Sequence, residues 1–325
     1  MKEYFTIKAI KNGFTILKAA FNGFLDDMAL KFSALLAYYT IFSLAPLLLL
    51  MISLAGIFFG SEASQGKIFG EINGFVGNDA AKQIQDMIKH LQMFGKSTVS
   101  VILGAVILIF GASGVFGEIQ ESINIIWQVR PKPKKSWVKV IKDRLLSFSM
   151  IATLGFLLLI SLVINGALLV MSDHLKSYLP NFTVVFFNVI NVVISFIVIT
   201  VLFCVIFKVL PDVKIRWRDV LSGALFTAVL FMIGRLVIGI YVAQSATSST
   251  YGAAGSLIAI LLWVYYTAAI LYFGAEFTRA YADFKGIQIQ PAEFAVHVVQ
   301  TEELRNVKKV PPKHKIGKSN GNAKR

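Results

Sequence analysis

A small set of polar side chains interrupts the long apolar runs of this 325-residue sequence, and these side chains are its candidates for chemistry. A charged side chain in hydrocarbon costs about 2.5–3.5 kcal/mol even on an insertion scale, so such residues usually face other helices or water. They are typical of a polar pathway through a bundle of helices. The candidate pathway residues are Tyr38, Tyr39, Glu118, Gln120, Asn124, Asn165, Asn191, Arg235, Tyr265 and Glu276.

The sequence lacks the residue patterns on which many enzymes rely. Its four histidines are isolated, and no HxH, HExxH or phosphate-binding glycine loop occurs. We therefore predict no catalytic residue, no metal and no cofactor. The formal net charge of +14 is explained by topology and by attraction to anionic lipids at the cytoplasmic face, so no nucleic-acid partner is expected.

The elements that must position the polar residues are membrane-spanning helices. Hydrophobic residues make up 56% of the chain and charged residues only 15%, and the mean hydropathy is +0.69. A helix of about 20 apolar residues crosses ~30 Å of hydrocarbon. We predict an all-α, polytopic bundle with six transmembrane helices, at 34–59, 99–126, 147–171, 184–207, 220–243 and 256–277.

Basic residues orient these spans. Most of the 32 lysines and arginines lie in the N-terminal segment, the second and fourth loops and the C-terminal tail. Both termini are therefore predicted to be cytoplasmic. The predicted domains are a cytoplasmic N-terminal helix at 1–32, the transmembrane domain at 33–285 and a mostly disordered basic tail at 286–325.

Two predicted helices do not span the membrane. In the N-terminal segment, apolar residues recur every three or four positions and form one face, which predicts an amphipathic helix. That helix lies at the membrane interface or, equally, packs on the bundle. Its apolar face comprises Ile7, Ile10, Phe14, Leu17, Phe21, Phe24 and Met28. A short external helix is predicted between spans one and two, after an N-cap at Asn78.

Positions within the spans divide the polar residues into two layers. Tyr38, Tyr39, Glu118, Gln120, Asn124 and Glu276 belong to the inner half, and Asn165, Asn191 and Arg235 belong to the outer half. Tyr265 lies near the midplane. Simpler interpretations remain open, because the tyrosines suit an interfacial belt, Glu276 with Arg279 suits a surface ion pair, and asparagines often join helices.

Proline and glycine mark the positions where the spans bend or approach each other closely. Proline removes a backbone donor, and glycine allows backbones to come together. The hinge candidates are Pro46, Gly111, Gly114, Gly117, Gly252 and Gly255.

Three blocks carry a resemblance to a known family. ALLAYYTIFSLAPLLLL, GASGVFGEIQESINIIW and YGAAGSLIAILLWVYYTAAILYFGAEFTRAYA occur in this order, and the chain resembles the YihY/BrkB family of bacterial inner-membrane proteins from about residue 15 to residue 285. The resemblance implies a six-helix protein of the cytoplasmic membrane with a poorly defined activity. Some members are associated with virulence or serum resistance, and some were labelled ribonuclease BN in error.

Two functions remain open. The polar layers favour a transporter or a translocator of lipid or solute. The basic tail and the N-terminal helix favour a non-transporting assembly or envelope-interaction factor. The expected partners are the lipid bilayer and anionic lipids, and a homo-oligomer is possible.

The predicted topology can be tested at the C-terminus. A fluorescent protein fused after Arg325 should fluoresce, because the positive-inside rule places this end in the cytoplasm. Alkaline phosphatase fused at the same position should be inactive. An active phosphatase there would contradict the six-span topology.

Overall fold

The computed structural model describes residues 2–43, 114–132, 180–246 and 253–298, with isolated helical positions between 145 and 171. The third span as a continuous helix, the external helix and most of the first span lie outside these residues. The described chain is mainly helical, as predicted for an all-α protein. The helices are α1 Lys2–Asp26, α2 Ala29–Ser43, α3 114–126, α4 Pro180–Val209, α5 Trp217–Ala246 and α6 Ala253–Phe284.

Three of these helices are long and apolar enough to cross a membrane. The qualifying stretches are Val185–Val209 in α4, Trp217–Ile238 in α5 and Ile260–Phe284 in α6. They coincide with predicted spans four, five and six, although each helix extends a few residues beyond the predicted bounds. α2 is a shorter apolar helix within the described residues.

The outer faces of α4 and α5 are apolar and exposed. Residues spaced three or four apart form one continuous stripe along each helix, and water would not favour so large an apolar surface. Lipid is the solvent that suits it. The exposed residues are Val185, Val189, Val193, Ile197 and Val201 on α4 and Leu221, Leu225, Val229, Ile233, Val237 and Ile240 on α5.

Six helix ends meet at one end of the bundle, which we call the charged end. α2 and α5 begin there, and α1, α3, α4 and α6 finish there, because Arg279 contacts both Asp27 and Ile126 while Asn124 contacts Asp212. This arrangement of starts and ends is the one that the predicted topology requires. The number of spans and the location of the termini remain predictions.

Two short antiparallel ribbons cover the charged end. β1 (Val129–Pro131) pairs with β4 (Ala295–His297), and β2 (Val213–Lys214) pairs with β3 (Gln290–Pro291).

α6 stops at a C-terminal motif in which Gly286 has φ +67° and the Ile287 N–H donates to the Ala282 carbonyl at 2.8 Å.

The ribbons differ from the sequence prediction, which placed the whole segment 286–325 in a mostly disordered tail. Residues up to 298 are ordered, because the backbone of 290–297 pairs with the loops that follow α3 and α4. The remainder of the tail lies outside the described residues.

α5 and α6 cross with their backbones in close approach. Gly223 of α5 lies against the side chain of Thr278, and Gly274 of α6 lies against the side chain of Thr227. Both threonine hydroxyls donate to a carbonyl one turn earlier on their own helix, at 2.7 Å, so their polar groups are satisfied. A small residue and a threonine four positions apart on each helix therefore set this crossing.

α1 packs on α6 through one face and exposes another. Ile16, Ala20 and Phe24 are buried, and the Phe24 ring meets the Phe273 ring edge to face at 5.5 Å. Most of the predicted apolar face, including Phe14, Leu17, Phe21 and Met28, is exposed instead. The helix is thus packed on the bundle and keeps an apolar stripe that suits a membrane interface.

Gly274→Ala should destabilise the protein, because the new methyl group would overlap Thr227 at the crossing. We expect a loss of about 1–3 kcal/mol, the usual cost of overpacking. The measurement is thermal unfolding of the purified protein in detergent. Gly117→Ala is the matched control, since no neighbouring atom lies within 4 Å of the point that a Cβ would occupy there. Equal melting temperatures for both variants would contradict the close crossing.

Candidate functional site: a polar ladder at the charged end

Arg279 of α6 links three parts of the chain at the charged end. Its Nη1 donates to Asp27 Oδ2 at 3.1 Å and to the carbonyl of Ile126 at 2.6 Å. Its Nε lies 3.9 Å from the exposed carboxylate of Asp283. The guanidinium therefore joins the α1–α2 turn and the end of α3 to α6, and its positive charge is already shared among carboxylates.

Glu276 lies one turn before Arg279 and is buried, with 2% of its surface exposed. Its Oε1 has no hydrogen-bond partner among the described residues. A Cβ added at Gly23 of α1 would lie only 2.5 Å from Glu276 Oε2, so the glycine makes room for the carboxylate. Asp27 is positioned to share a hydrogen bond with the Glu276 carboxyl group, and Asp26 interacts with it electrostatically. A buried carboxylate with an unsatisfied oxygen is costly, and it is available to a ligand.

A second pair of polar side chains lies deeper. Tyr272 is fully buried one turn before Glu276 on α6, and its hydroxyl makes no hydrogen bond of normal length among the described residues. Ser122 of α3 is positioned as its hydrogen-bond partner, and Glu118 interacts with it electrostatically. Ser122 donates to Glu118 Oε1 at 3.1 Å, from a position one turn away on the same face of α3.

Together these residues form a series that we call the polar ladder. From the charged end inward it comprises Asp27, Arg279, Glu276, Tyr272, Ser122 and Glu118. Four residues of helix, or about 6 Å, separate Glu276 from Tyr272. Glu118 lies eight residues before the end of α3, about 12 Å inside the helix. The ladder therefore runs from the surface into the part of the bundle whose outer faces are apolar.

The end of α3 is fixed beside the ladder by two tertiary contacts. The Asn124 amide donates to Asp212 Oδ2 at 3.0 Å, and its oxygen accepts from the Asp212 backbone N–H at 2.8 Å. The fully buried Trp127 donates from Nε1 to the carbonyl of Ala275 at 3.0 Å. The Trp127 bond holds the end of α3 against α6, and the Asn124 bonds hold it against the loop that follows α4.

A cavity of about 290 Å³ opens between α1 and α6 at the level of Glu276. Its walls combine small or apolar residues with the charged groups of α6. The lining residues are Thr15, Ile16, Ala19 and Gly23 on α1 and Glu276, Arg279, Ala280, Asp283 and Phe284 on α6.

The structure brings some of the predicted pathway residues together. Glu276 and Glu118 belong to the ladder, and Asn124 supports it. Gln120 is buried on α3. Glu276 and Arg279 do not form a surface ion pair, because Glu276 is buried and Arg279 bonds to Asp27.

The other predicted pathway residues lie apart from the ladder. Tyr38 is 59% exposed and packs its ring against Tyr39 and Phe42 on the outside of α2. Asn191 is exposed on α4, and Arg235 and Tyr265 are half-buried on α5 and α6. Asn165 lies outside the described residues. Whether any of these residues belongs to a pathway remains a prediction.

The hinge candidates have similarly mixed positions. A Cβ added at Gly114 would lie 3.5 Å from the Tyr39 ring, which is an ordinary contact distance. A Cβ added at Gly117 would have no neighbour within 4 Å. Gly255 lies in the first turn of α6. Pro46, Gly111 and Gly252 lie outside the described residues.

Sequence reasoning missed Asp27, Ser122, Tyr272 and Gly23 as parts of this site. Tyr272 and Ser122 are each one turn from a predicted carboxylate, at 276 and 118, and this spacing was an available signal. Gly23 in an otherwise helical segment was another, since a helical glycine often marks a close approach. Nothing in the sequence could indicate that Asp27 reaches Arg279, 252 residues away.

Asn124→Asp should weaken the attachment of α3. The substitution replaces the donating amide with a second carboxylate facing Asp212, so one hydrogen bond is lost and two like charges are opposed. We expect a loss of about 1–3 kcal/mol and a lower melting temperature in detergent. Asn22→Asp, at an exposed position on α1, is the matched control and should leave the melting temperature unchanged. Equal stability of the two variants would mean that this contact is dispensable.

The chain has relatives among bacterial membrane proteins. A UPF0761 membrane protein of Methylibium petroleiphilum is 29% identical over 265 residues, which cover 80% of this chain and 60% of the relative. A UPF0761 membrane protein of Vibrio vulnificus is 26% identical over 257 residues, which cover 75% of each protein. This chain therefore spans less than two thirds of the length of the Methylibium relative. No solved structure matches the chain.

The family match includes the whole ladder. Residues 20–293 match the family described as "Virulence factor BrkB", and this range extends from the last two turns of α1 to the loop after β3. The apolar exposed helices agree with the description of the relatives as membrane proteins. The chain is a membrane protein of the BrkB family.

Proposed function

We propose that this protein crosses the bacterial cytoplasmic membrane six times, with both termini in the cytoplasm, and translocates an amphipathic or polar molecule. The observation that carries the proposal is the polar ladder. It runs along α3 and α6 into a bundle in which the outer faces of α4 and α5 are apolar and exposed. Polar groups in such a position are expensive, so they usually mark the path of a substrate, an ion or water.

The unsatisfied atoms of the ladder support this proposal. Glu276 Oε1 and the Tyr272 hydroxyl are buried without a hydrogen-bond partner among the described residues. In a purely structural network, buried polar atoms are normally paired within the protein. A polar molecule moving along the ladder could therefore form a hydrogen bond first with Glu276 and then with Tyr272, one turn deeper.

The geometry also supports entry at the cytoplasmic face. The basic-rich segments predicted to be cytoplasmic join the helices at the charged end, where the ladder starts. The cavity between α1 and α6 opens at the same level as Glu276. A molecule could therefore reach the first buried carboxylate from the cytoplasm or from the adjoining leaflet.

A non-transporting role in envelope assembly is the second candidate. The two β ribbons favour it, because they form an ordered platform at the charged end with exposed Lys132, Lys214 and Glu293. Such a platform could bind another protein. Under this alternative the ladder would be needed for stability alone, and its substitution would not affect the movement of any molecule.

The translocation proposal can be tested with full-length protein in liposomes. Transbilayer movement of fluorescent phospholipids and leakage of entrapped small solutes should both be measured, and at least one should exceed that of protein-free liposomes. Glu118→Gln should lower the protein-dependent rate by about tenfold, which corresponds to ~1.4 kcal/mol on a barrier. Glu121→Gln is the matched control, because Glu121 is exposed on the same helix.

Two outcomes would contradict the proposal. One is the absence of protein-dependent movement of every lipid and solute tested, with the protein folded and correctly inserted. The other is an equal rate for Glu118→Gln, Glu121→Gln and the unmodified protein, which would show that the ladder is not on the path.

A further inference from the structure

We propose that the cavity between α1 and α6 binds the primary ammonium group of an amphipathic molecule, with Glu276 as its principal acceptor. This inference deepens the proposed function, on which it rests for treating the bound molecule as a substrate. Binding itself is tested separately from translocation.

The charges around the cavity favour a cation. Glu276 and Asp283 line it, and Asp27 and Asp26 lie close to Glu276. The cation in this group, Arg279, is already bonded to Asp27 and the Ile126 carbonyl and lies near Asp283. Even with Glu276 protonated, the carboxylates of Asp26, Asp27 and Asp283 outnumber Arg279 among the described residues at this site, so an anionic ligand would meet net repulsion.

The unsatisfied oxygen identifies the point of recognition. Glu276 Oε1 is buried, lacks a hydrogen-bond partner among the described residues, and belongs to a side chain that lines the cavity. An ammonium N–H would supply the missing donor and form a charge-assisted hydrogen bond. A quaternary ammonium has no N–H, so it would leave this oxygen unsatisfied.

The donor set and the size of the cavity favour an organic group over a bare metal ion. Within the described residues, no group of three or more His, Cys, Asp or Glu side chains is arranged to hold a metal. A water molecule occupies about 30 Å³ of liquid volume, so a cavity of about 290 Å³ is much larger than one hydrated site needs. It is near the lower end of the range for ligand pockets, which suits a headgroup or a short amine.

The apolar part of the surroundings favours an amphipathic ligand. Ile16, Ala19, Ala280 and Phe284 line the cavity beside the charged groups. On the same helix as Ile16, the side chains of Phe14, Leu17 and Phe21 are exposed and suit contact with lipid. An ammonium bound at Glu276 could therefore extend an apolar chain along α1 into the membrane.

The primary ammonium group could belong to an ethanolamine lipid or to a soluble alkylamine. Native mass spectrometry of the full-length protein should be used to titrate phosphatidylethanolamine, phosphatidylcholine and hexylamine separately. We expect phosphatidylethanolamine, hexylamine or both to bind to the unmodified protein. Glu276→Gln should lower the affinity for the bound ligand by about tenfold or more. Phosphatidylcholine should bind more weakly than phosphatidylethanolamine. Glu293→Gln, at an exposed carboxylate outside the cavity, is the matched control.

A second variant keeps the test decisive if Glu276→Gln fails to fold. Ala19→Leu leaves every charge in place but fills part of the cavity, so it should weaken binding of the same ligand.

Binding of phosphatidylethanolamine alone assigns a lipid source, and binding of hexylamine alone assigns a soluble amine. The inference is overturned if neither phosphatidylethanolamine nor hexylamine binds, if phosphatidylcholine binds and does so as tightly as phosphatidylethanolamine, or if the folded variants bind like the unmodified protein. Intact binding without translocation would overturn the proposed function and leave this inference standing.

Discussion

Arg279 has to satisfy its planar set of donors at the end of an apolar helix, and this requirement organises the charged end of the molecule. It does so with a carboxylate from the α1–α2 turn and a backbone carbonyl from the end of α3. A lysine could not readily hold both contacts, because its ammonium lacks the rigid fork of a guanidinium. With Arg279 engaged in this way, Glu276 one turn earlier is left with carboxylates around it and one oxygen unpaired among the described residues. Glu276 Oε1 is therefore left unpaired among the described residues because Arg279 bonds to Asp27 and Ile126 instead.

The close crossing of α5 and α6 supplies the rigid frame for that arrangement. Gly223 and Gly274 let the two backbones approach, and Thr227 and Thr278 fill the space while bonding within their own helices. The hydroxyls at this crossing are satisfied, in contrast to Glu276 and Tyr272 nearby. The two regions of α6 thus have different roles: one joins helices through fully satisfied contacts, and the other keeps donors and acceptors available. That contrast, within a protein of the BrkB family, is the physical basis for proposing a path along the ladder.

The helices were predictable from the sequence because hydrophobicity alone defines them. α4, α5 and α6 coincide with three predicted spans, and Glu118, Asn124 and Glu276 were identified by the cost of placing polar groups in apolar segments. The partners of these residues were not predictable. Asn124 bonds to Asp212 and Arg279 bonds to Asp27, and such long-range contacts depend on how the helices pack.

The strands β3 and β4 were missed for another reason, since two or three residues are too few for an alternating pattern to be recognised. For Tyr38 and Tyr39 the sequence left open a pathway or an interfacial belt, and their exposure on α2 depends on the rotation of that helix, which hydrophobicity alone does not define.

The central claim is that the ladder can be reached by polar molecules, and substituted-cysteine labelling tests it most directly. Cys204 is the single native cysteine and is buried, so Cys204→Ser gives a background without thiols. Glu276→Cys and Ser122→Cys would then be treated with a membrane-impermeant thiol reagent in inverted membrane vesicles, with Val193→Cys on the exposed apolar face of α4 as the reference. We expect both ladder positions to react, Glu276→Cys to react faster because it lies nearer the charged end, and Val193→Cys not to react. Ladder cysteines as unreactive as Val193→Cys, in folded protein, would contradict it.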